Sequence, residues 1–264
     1  MTQEKLPKAA GLGHEISARE AWKLFGIMAE FFEATERLAD VKPAVSVFGS
    51  ARVKPGTRYY QLAEDTARLL SDAGFAVFSG GGPGLMEATN KGAFQGRGMA
   101  VGLNIDLPRE QPSSRYQHIS LRFKHFFARK VMFAKFATAF VVLPGGFGTL
   151  DEIFECATLV QTGKIQRFPL VVMGKDYWRP LSDFICHGMV QEKTILPADC
   201  ERILFTDSVD EAMDRIMSAA TQELGLIWEP APHWYFGEGR LQKPRLDRTT
   251  VPPEKPGLPS GRSW

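Results

Sequence analysis

The chain has 264 residues, 44% of them hydrophobic and 23% charged, with a formal net charge of +2. That length can bury a sizeable core, and with the charge nearly balanced nothing points to the strongly basic face of a nucleic-acid binder, so no nucleic-acid partner is expected. No stretch approaches the roughly 18 apolar residues needed to span a bilayer, so no membrane partner is expected either.

The first 17 residues are polar and broken by Pro7, without a signal peptide's apolar run, and are expected to be a flexible N-terminus. The three cysteines, Cys156, Cys186 and Cys200, form no C-x-x-C pair and read as reduced thiols of a cytoplasmic protein. The five histidines are scattered without metal-ligand spacing, so no metal is expected.

In chain order, apolar residues at helical spacing predict a first helix over 18–39, with Trp22, Phe25 and Phe32 on its stripe. Ser17 is its expected N-cap and Glu20 the capping-box partner. So many aromatics imply packing on the domain or on a second subunit. After Pro43 the pattern changes. Strands are predicted at 44–48, 75–79, 99–105, 118–123, 139–143, 169–173 and 202–205. Helices are predicted at 59–73, 85–95, 126–136, 149–162, 181–190 and 209–224, with Gly74 closing the first of these in a left-handed conformation. Apolar strands alternating with amphipathic helices mark a parallel sheet covered on both faces. The fold class is therefore α/β, a Rossmann-like doubly wound parallel sheet with an extra N-terminal helix, over one domain from 18 to 228. The segment 229–264, rich in proline and charge, reads as an extension that buries too little surface to order itself.

Two strand-to-helix turns are dense in glycine: Ser79-Gly80-Gly81-Gly82-Pro83-Gly84 and Pro144-Gly145-Gly146-Phe147-Gly148-Thr149. A third turn, Gly49-Ser50-Ala51-Arg52, leaves the first strand. In an open parallel sheet ligands bind outside the carboxyl ends of the strands. A glycine turn opening a helix there presents unpaired amides and the positive end of the helix dipole, which suits a phosphate. Gly49, Ser50, Gly81 and Gly82 are thus candidate contacts alongside the second loop. Neither glycine loop completes G-x-G-x-x-G, because Leu85, Glu87 and Asp151 stand where a third glycine belongs. No Gly-Lys-Ser/Thr is present, so dinucleotide and triphosphate chemistry are both disfavoured.

Thr149 and Glu152, three apart at a helix start, admit two readings. One is a capping box. The other sets Glu152 beside a bound sugar, where a carboxylate stabilises positive charge on the ring as a base departs and orients the attacking water. Arg129-Lys130 is likewise either a solvated pair or an arginine fork turned toward a phosphate or ribose. Phe123, Phe126, Phe127, Met132 and Phe133 are either core or the wall of an apolar base pocket.

Pro144-Gly145-Gly146-Phe147-Gly148-Thr149-Leu150-Asp151-Glu152 resembles the P-G-G-x-G-T-x-x-E signature of the LONELY GUY family. Arg129-Lys130 resembles its upstream R-K element, and 79–86 its S-G-G-G-x-x-G-L-M loop. The similarity runs over most of 45–173, and the long first helix and proline-rich end look like the longer bacterial branch. The resemblance implies a cytokinin riboside 5′-monophosphate phosphoribohydrolase, active on AMP in many members, needing no cofactor and assembling as a homodimer or larger homo-oligomer. It implies Arg129 and Glu152 as the catalytic pair. Gly145, Gly146, Phe147, Gly148, Thr149, Leu150 and Asp151 would hold phosphate and ribose, with Lys130, Glu110 and Thr158 as further contacts. Two other readings stand beside it: a nucleotide-binding or sensing module without catalysis, and a pyridoxal-phosphate lysine decarboxylase, which would need a lysine placed for a Schiff base.

Overall fold

A computed structural model of the chain describes residues 18–108, 112–165 and 168–223. Seven strands form one parallel sheet: β1 (Ala44–Phe48), β2 (Ala76–Ser79), β3 (Ala100–Ile105), β4 (Ile119–Phe123), β5 (Ala137–Val142), β6 (Leu170–Met173) and β7 (Ile203–Thr206), in the spatial order β4-β3-β2-β1-β5-β6-β7. The chain builds outward from β1 in one direction, then returns to β1's other side with β5 and builds the opposite way. The order reverses between β1 and β5, whose register pairs Ser46 with Phe140 and Phe48 with Val142.

The strands are apolar on both faces because helices cover both. Residues alternate between two cores, as the two-residue period of a strand requires. On one face Phe48, Phe78, Leu103, Phe140 and Val172 meet α1 (Ala18–Leu38), α4 (Phe126–Phe136) and α5 (Phe147–Gln161). On the other Val47, Val77, Val141 and Met173 meet α2 (Arg58–Asp72), α3 (Leu85–Gln95) and α8 (Val209–Ser218). Phe75, Phe78 and Phe140 are wholly buried, each contributing about 1.5–3 kcal/mol relative to exposure. Thr57 caps α2 by accepting from the Tyr60 amide, and Ser208 caps α8 by accepting from Glu211. Gly74, just past the end of α2, has φ +96°, the left-handed geometry expected of it.

Two contacts set the position of α4. Ser46, on β1 and fully buried, donates its hydroxyl to the Phe133 carbonyl at 3.0 Å. Glu30, reaching from α1, accepts from the amides of Lys124 and His125 and pairs with His125 Nδ1 at 2.9 Å. The N-terminus of α4 is therefore capped by a carboxylate from another helix. On α1 itself Ala34 and Leu38 are buried, whereas Trp22, Phe25, Met28 and Phe32 are exposed.

Several expectations are corrected. The predicted helix at 181–190 starts earlier, as α6 (Lys175–Asp183), and runs on as a π-helical turn, Phe184–Met189. Pro180, which as a helix breaker marks a start after it, lies inside α6. The start at Lys175 is set by Asp207, whose Oδ1 accepts from the amides of Gly174 and Lys175 at 2.9 and 2.8 Å. No local pattern announces a cap 32 residues away. A short helix, α7 (Pro197–Glu201), was not predicted. The last helix is α8 followed by a π-helical segment, Ala219–Glu223. Cys186 and Cys200 are not both reduced thiols: the π-helical turn and α7 bring their Cα atoms to 5.4 Å and the two form a disulfide, leaving Cys156 free and buried. Ser17, Glu110, the 224–228 boundary and the 229–264 extension lie outside the described residues.

Candidate active site at the strand-order reversal

Where two neighbouring strands send their chains in opposite directions, their carboxyl ends part and leave a crevice. Above β1 and β5 this crevice is a cleft of about 830 Å³. Its floor is the turn after β1. The Ser50 amide donates to the Pro144 carbonyl at 3.0 Å, and the Ser50 carbonyl accepts from Leu85, the first residue of α3, at 2.8 Å. That approach needs glycine at position 84, which has φ +70° and whose Cβ would stand 2.4 Å from the Ser50 carbonyl oxygen.

One wall is the turn from β5 into α5. Gly145 is buried, and a Cβ there would meet Thr149 Oγ1 at 2.0 Å. Its carbonyl accepts from the Tyr177 hydroxyl of α6 at 2.7 Å. Gly146 is the N-cap of α5, and no side chain caps the helix. A Cβ at Gly146 or Gly148 would meet nothing within 4 Å. The amides of Thr149 and Leu150 donate to the Gly146 carbonyl, and those of Phe147 and Gly148 are left beside open space, with the helix dipole behind them. This chemistry fits an anion.

The capping box expected as one reading of Thr149 and Glu152 is excluded. Helix α5 begins at Phe147, two residues before the predicted start, so Thr149 sits within its first turn and is no cap. Glu152 lies one turn in, 6% exposed and facing the cleft. Burial raises its carboxyl from the ordinary 4.5 to about 7, against the pull of Lys130 and Arg129, and Glu155 and Asp151 add to the rise. A carboxyl poised there can hold or take a proton near neutral pH.

Arg129 of α4 lines the same cleft. Burial lowers its pKa below the ordinary arginine value while Glu152 and Asp151 oppose the change, and an arginine remains cationic throughout. The guanidinium carbon lies 5.3 Å from the centre of the Phe126 ring and 5.8 Å from that of Phe133, within cation–π range. Its Nε is buried without a hydrogen-bond partner among the described residues.

The structure thus brings together Arg129, Glu152, Gly49, Ser50, Gly82, Gly145, Gly146, Phe147, Gly148, Thr149 and Leu150 around one cleft. It places four others elsewhere. Lys130 is paired with Asp151 at 3.0 Å and with Glu155, and neither Lys130 nor Asp151 lines the cleft. Thr158 is exposed, donates to the Phe154 carbonyl at 2.7 Å and borders a separate cavity of about 110 Å³ with Ile153, Met189 and Ile203. Gly81 is a buried corner whose carbonyl accepts from Ser114 and Gln117. Of the five apolar residues considered for a base pocket, Phe126 and Phe133 line the cleft, Phe123 and Met132 are core and Phe127 is exposed.

Sequence reasoning missed Tyr177, Tyr59, Asn104 and Arg122, which also line the cleft. Tyr177 lay in a stretch read as loop. Asn104, a lone polar residue in an apolar strand, was the one visible signal. Among the described residues no group of three His, Cys, Asp or Glu is placed for a metal, and no helix is long and apolar enough to cross a membrane.

Fold and site together define a class: Rossmann-like α/β proteins with an uncapped glycine turn, suited to an anion, beside a buried carboxyl. Within that class, a family model described as "Possible lysine decarboxylase" matches residues 86–216. A cytokinin riboside 5′-monophosphate phosphoribohydrolase of Rhodococcoides fascians is 31% identical over 191 residues, spanning 70% of this chain and 96% of that protein. The cytokinin riboside 5′-monophosphate phosphoribohydrolase LOG of Oryza sativa subsp. japonica is 29% identical over 197 residues, spanning 70% and 77%. The chain belongs to this family, the LONELY GUY family. Among solved structures, the molybdenum cofactor binding protein of Rippkaea orientalis superposes with a TM-score of 0.51 at 20% identity, over 68% of this chain and 98% of that one. The molybdenum cofactor carrier protein of Chlamydomonas reinhardtii does so with 0.50 at 20% identity, over 68% and 99%. These two likenesses concern the fold alone.

Proposed function

We propose that the chain hydrolyses the N-glycosidic bond of purine nucleoside 5′-monophosphates, cytokinin-type nucleotides and AMP among them, to free base and ribose 5-phosphate. The observation that carries this reading is the buried Glu152, titrating near 7, one helical turn from open first-turn amides. A 5′-phosphate on the amides of Phe147 and Gly148 brings the ribose to the carboxylate. Ionised Glu152 takes a proton from water as the water oxygen bonds to C1′. The C1′–N9 bond breaks, its electron pair passes to the base, and the base takes a proton at nitrogen from solvent, to which Glu152 returns the one it gained. Glu152 also faces the positive charge that builds on the ribose ring. Arg129, held over two aromatic rings, supplies a fixed cation for the ligand's anionic or hydroxyl oxygens.

The relatives' names support the nucleotide substrate. The decarboxylase reading finds no support in the site: among the described residues no lysine lines the cleft, and Lys130, nearest in sequence, has its pKa raised by its bonds to Glu155 and Asp151 despite burial. A Schiff base requires a neutral amine. A carboxyl held near neutrality beside an open helix start favours catalysis over a non-catalytic binding module.

Incubation with AMP and isopentenyl-AMP, followed by chromatography for the free base, tests the proposal. Glu152→Gln is expected to lower turnover at least a hundredfold, in the range of a lost general base, while nucleotide binding persists. Full activity in this variant would remove the hydrolase mechanism. Loss of binding in step with activity would reassign Glu152 to shaping the site.

A further inference from the structure

The turn from β5 into α5 places two glycines in succession, Gly145 and Gly146, so no side chain of its own fixes the peptide between them. A half-turn of that peptide would carry Gly146 from φ −96° to positive φ, a region glycine enters without steric penalty. One side chain holds the plane in place: the Tyr177 hydroxyl donates to the Gly145 carbonyl at 2.7 Å. The peptide is trans, and in a planar trans peptide the N–H points opposite to the C=O. The bond to Tyr177 therefore turns the Gly146 amide away from α6, and Gly146 itself lines the cleft. Like those of Phe147 and Gly148, this amide has no acceptor among the described residues. Successive free N–H groups form a concave anion site.

Tyr177 is held in turn. Asp207 accepts from the first amides of α6, and Gly174 packs so closely on Pro144, the residue before the turn, that a Cβ there would stand 2.8 Å from Pro144 Cγ. The Tyr177 ring meets the buried Trp178 edge-on with centres 4.7 Å apart, and Tyr59 at 6.5 Å. Its hydroxyl has one proton, spent on Gly145, so it is not free to donate to a ligand.

We propose that Tyr177 is a positioning residue: it holds the Gly145 carbonyl so that the Gly146 amide joins those of Phe147 and Gly148 on the ligand's phosphate. Tyr177 acts through the turn and touches no reacting atom. The inference rests on the nucleotide reading above and adds to it a third amide and the side chain that aims it.

Tyr177→Phe removes the hydroxyl and leaves the ring against Trp178 and Tyr59, so the thermal transition is expected to stay. NMR titration of backbone amide shifts reads affinities from micromolar to millimolar. It is carried out on the full-length chain bearing Glu152→Gln, which separates binding from turnover, with AMP, ribose 5-phosphate and inorganic phosphate. These three share only the phosphate. Tyr177→Phe is expected to weaken all of them by a common factor of about five, the range of one lost hydrogen bond, and to shrink the shift of the Gly146 amide on binding. With Glu152 intact, KM for AMP should rise by that factor and kcat stay within about twofold. Unchanged affinities overturn the proposal. So does a loss confined to AMP, or to the two ligands with a sugar, which would set the hydroxyl on base or ribose. A fall in kcat together with the melting temperature overturns it as well, as general damage to the fold. A chain that shows the common factor but whose parent releases no base keeps the Tyr177 assignment and refutes the hydrolase. A parent whose glycine-turn amides respond to none of the three refutes both.

Discussion

At the scale of the residue, the chemistry concentrates in one carboxyl. In the fold Glu152 holds its proton until about 7, whereas the unfolded chain loses it near 4.5. Between those values the folded state binds more protons, so stability falls as pH rises through the window. Above it the deficit is on the order of 3 kcal/mol at most. Glu152→Gln, which stays neutral, is expected to unfold at a higher temperature than the parent at pH 8.5. At pH 4 the two should nearly coincide, as thermal melts at both values would show. An unchanged difference across that range would mean that the carboxyl is not raised. The same residue sets the rate profile. A general base needs its ionised form, so kcat/KM is expected to fall about tenfold per pH unit below 7. A profile flat from pH 5 to 8 would assign the proton to another group.

At the scale of the element, the start of α5 separates two kinds of glycine. Gly148→Ala adds a methyl where nothing lies within 4 Å and replaces glycine inside a helix, so a stability gain of about 0.5–1 kcal/mol is expected. The methyl occupies the space proposed for the phosphate, so KM should rise several-fold while the melting temperature does not fall. Gly145→Ala does the reverse: its Cβ would meet Thr149 Oγ1 at 2.0 Å, so a lower melting temperature is expected. A second test concerns α4. Glu30→Ala removes the carboxylate from the α4 N-terminus and is expected to cost about 1 kcal/mol, with a loss of affinity because α4 carries Arg129. Unchanged unfolding would show that the cap is replaced by water. The glycine turns were legible in sequence because glycine density before a helix has few other uses. The α6 start was not, since Asp207 sets it from the end of the neighbouring strand β7, 32 residues on in the chain.

At the scale of the whole molecule, α1 leaves Trp22 at 74% and Phe32 at 70% exposure, with Phe25 and Met28 between them on the same helical face. An exposed stripe of this kind on a chain of balanced charge favours self-association. We therefore expect a homo-oligomer in sedimentation, and a smaller species when Trp22, Phe25 and Phe32 are replaced by serine. A monomeric parent would assign this face to another partner. The disulfide acts at the same scale, tying the π-helical turn to α7 across 14 residues. Its reduction is expected to cost up to about 3 kcal/mol by the loop-closure argument, measurable as the shift in denaturant midpoint with and without a dithiol.

The sequence by itself determined the parallel sheet, its seven strands and the two glycine turns. Those follow from periodicity and from the backbone freedom of glycine, both local properties. It also named Arg129 and Glu152, through a motif and a resemblance. Only the tertiary structure decided between cap and cleft for Glu152, because burial, and hence the raised carboxyl, depends on which face of α5 meets the sheet. It alone turned Lys130 to Asp151 and Glu155 and brought Cys186 to Cys200. Each of these depends on elements distant in the chain, and the direction of a side chain is settled by the neighbours it meets there.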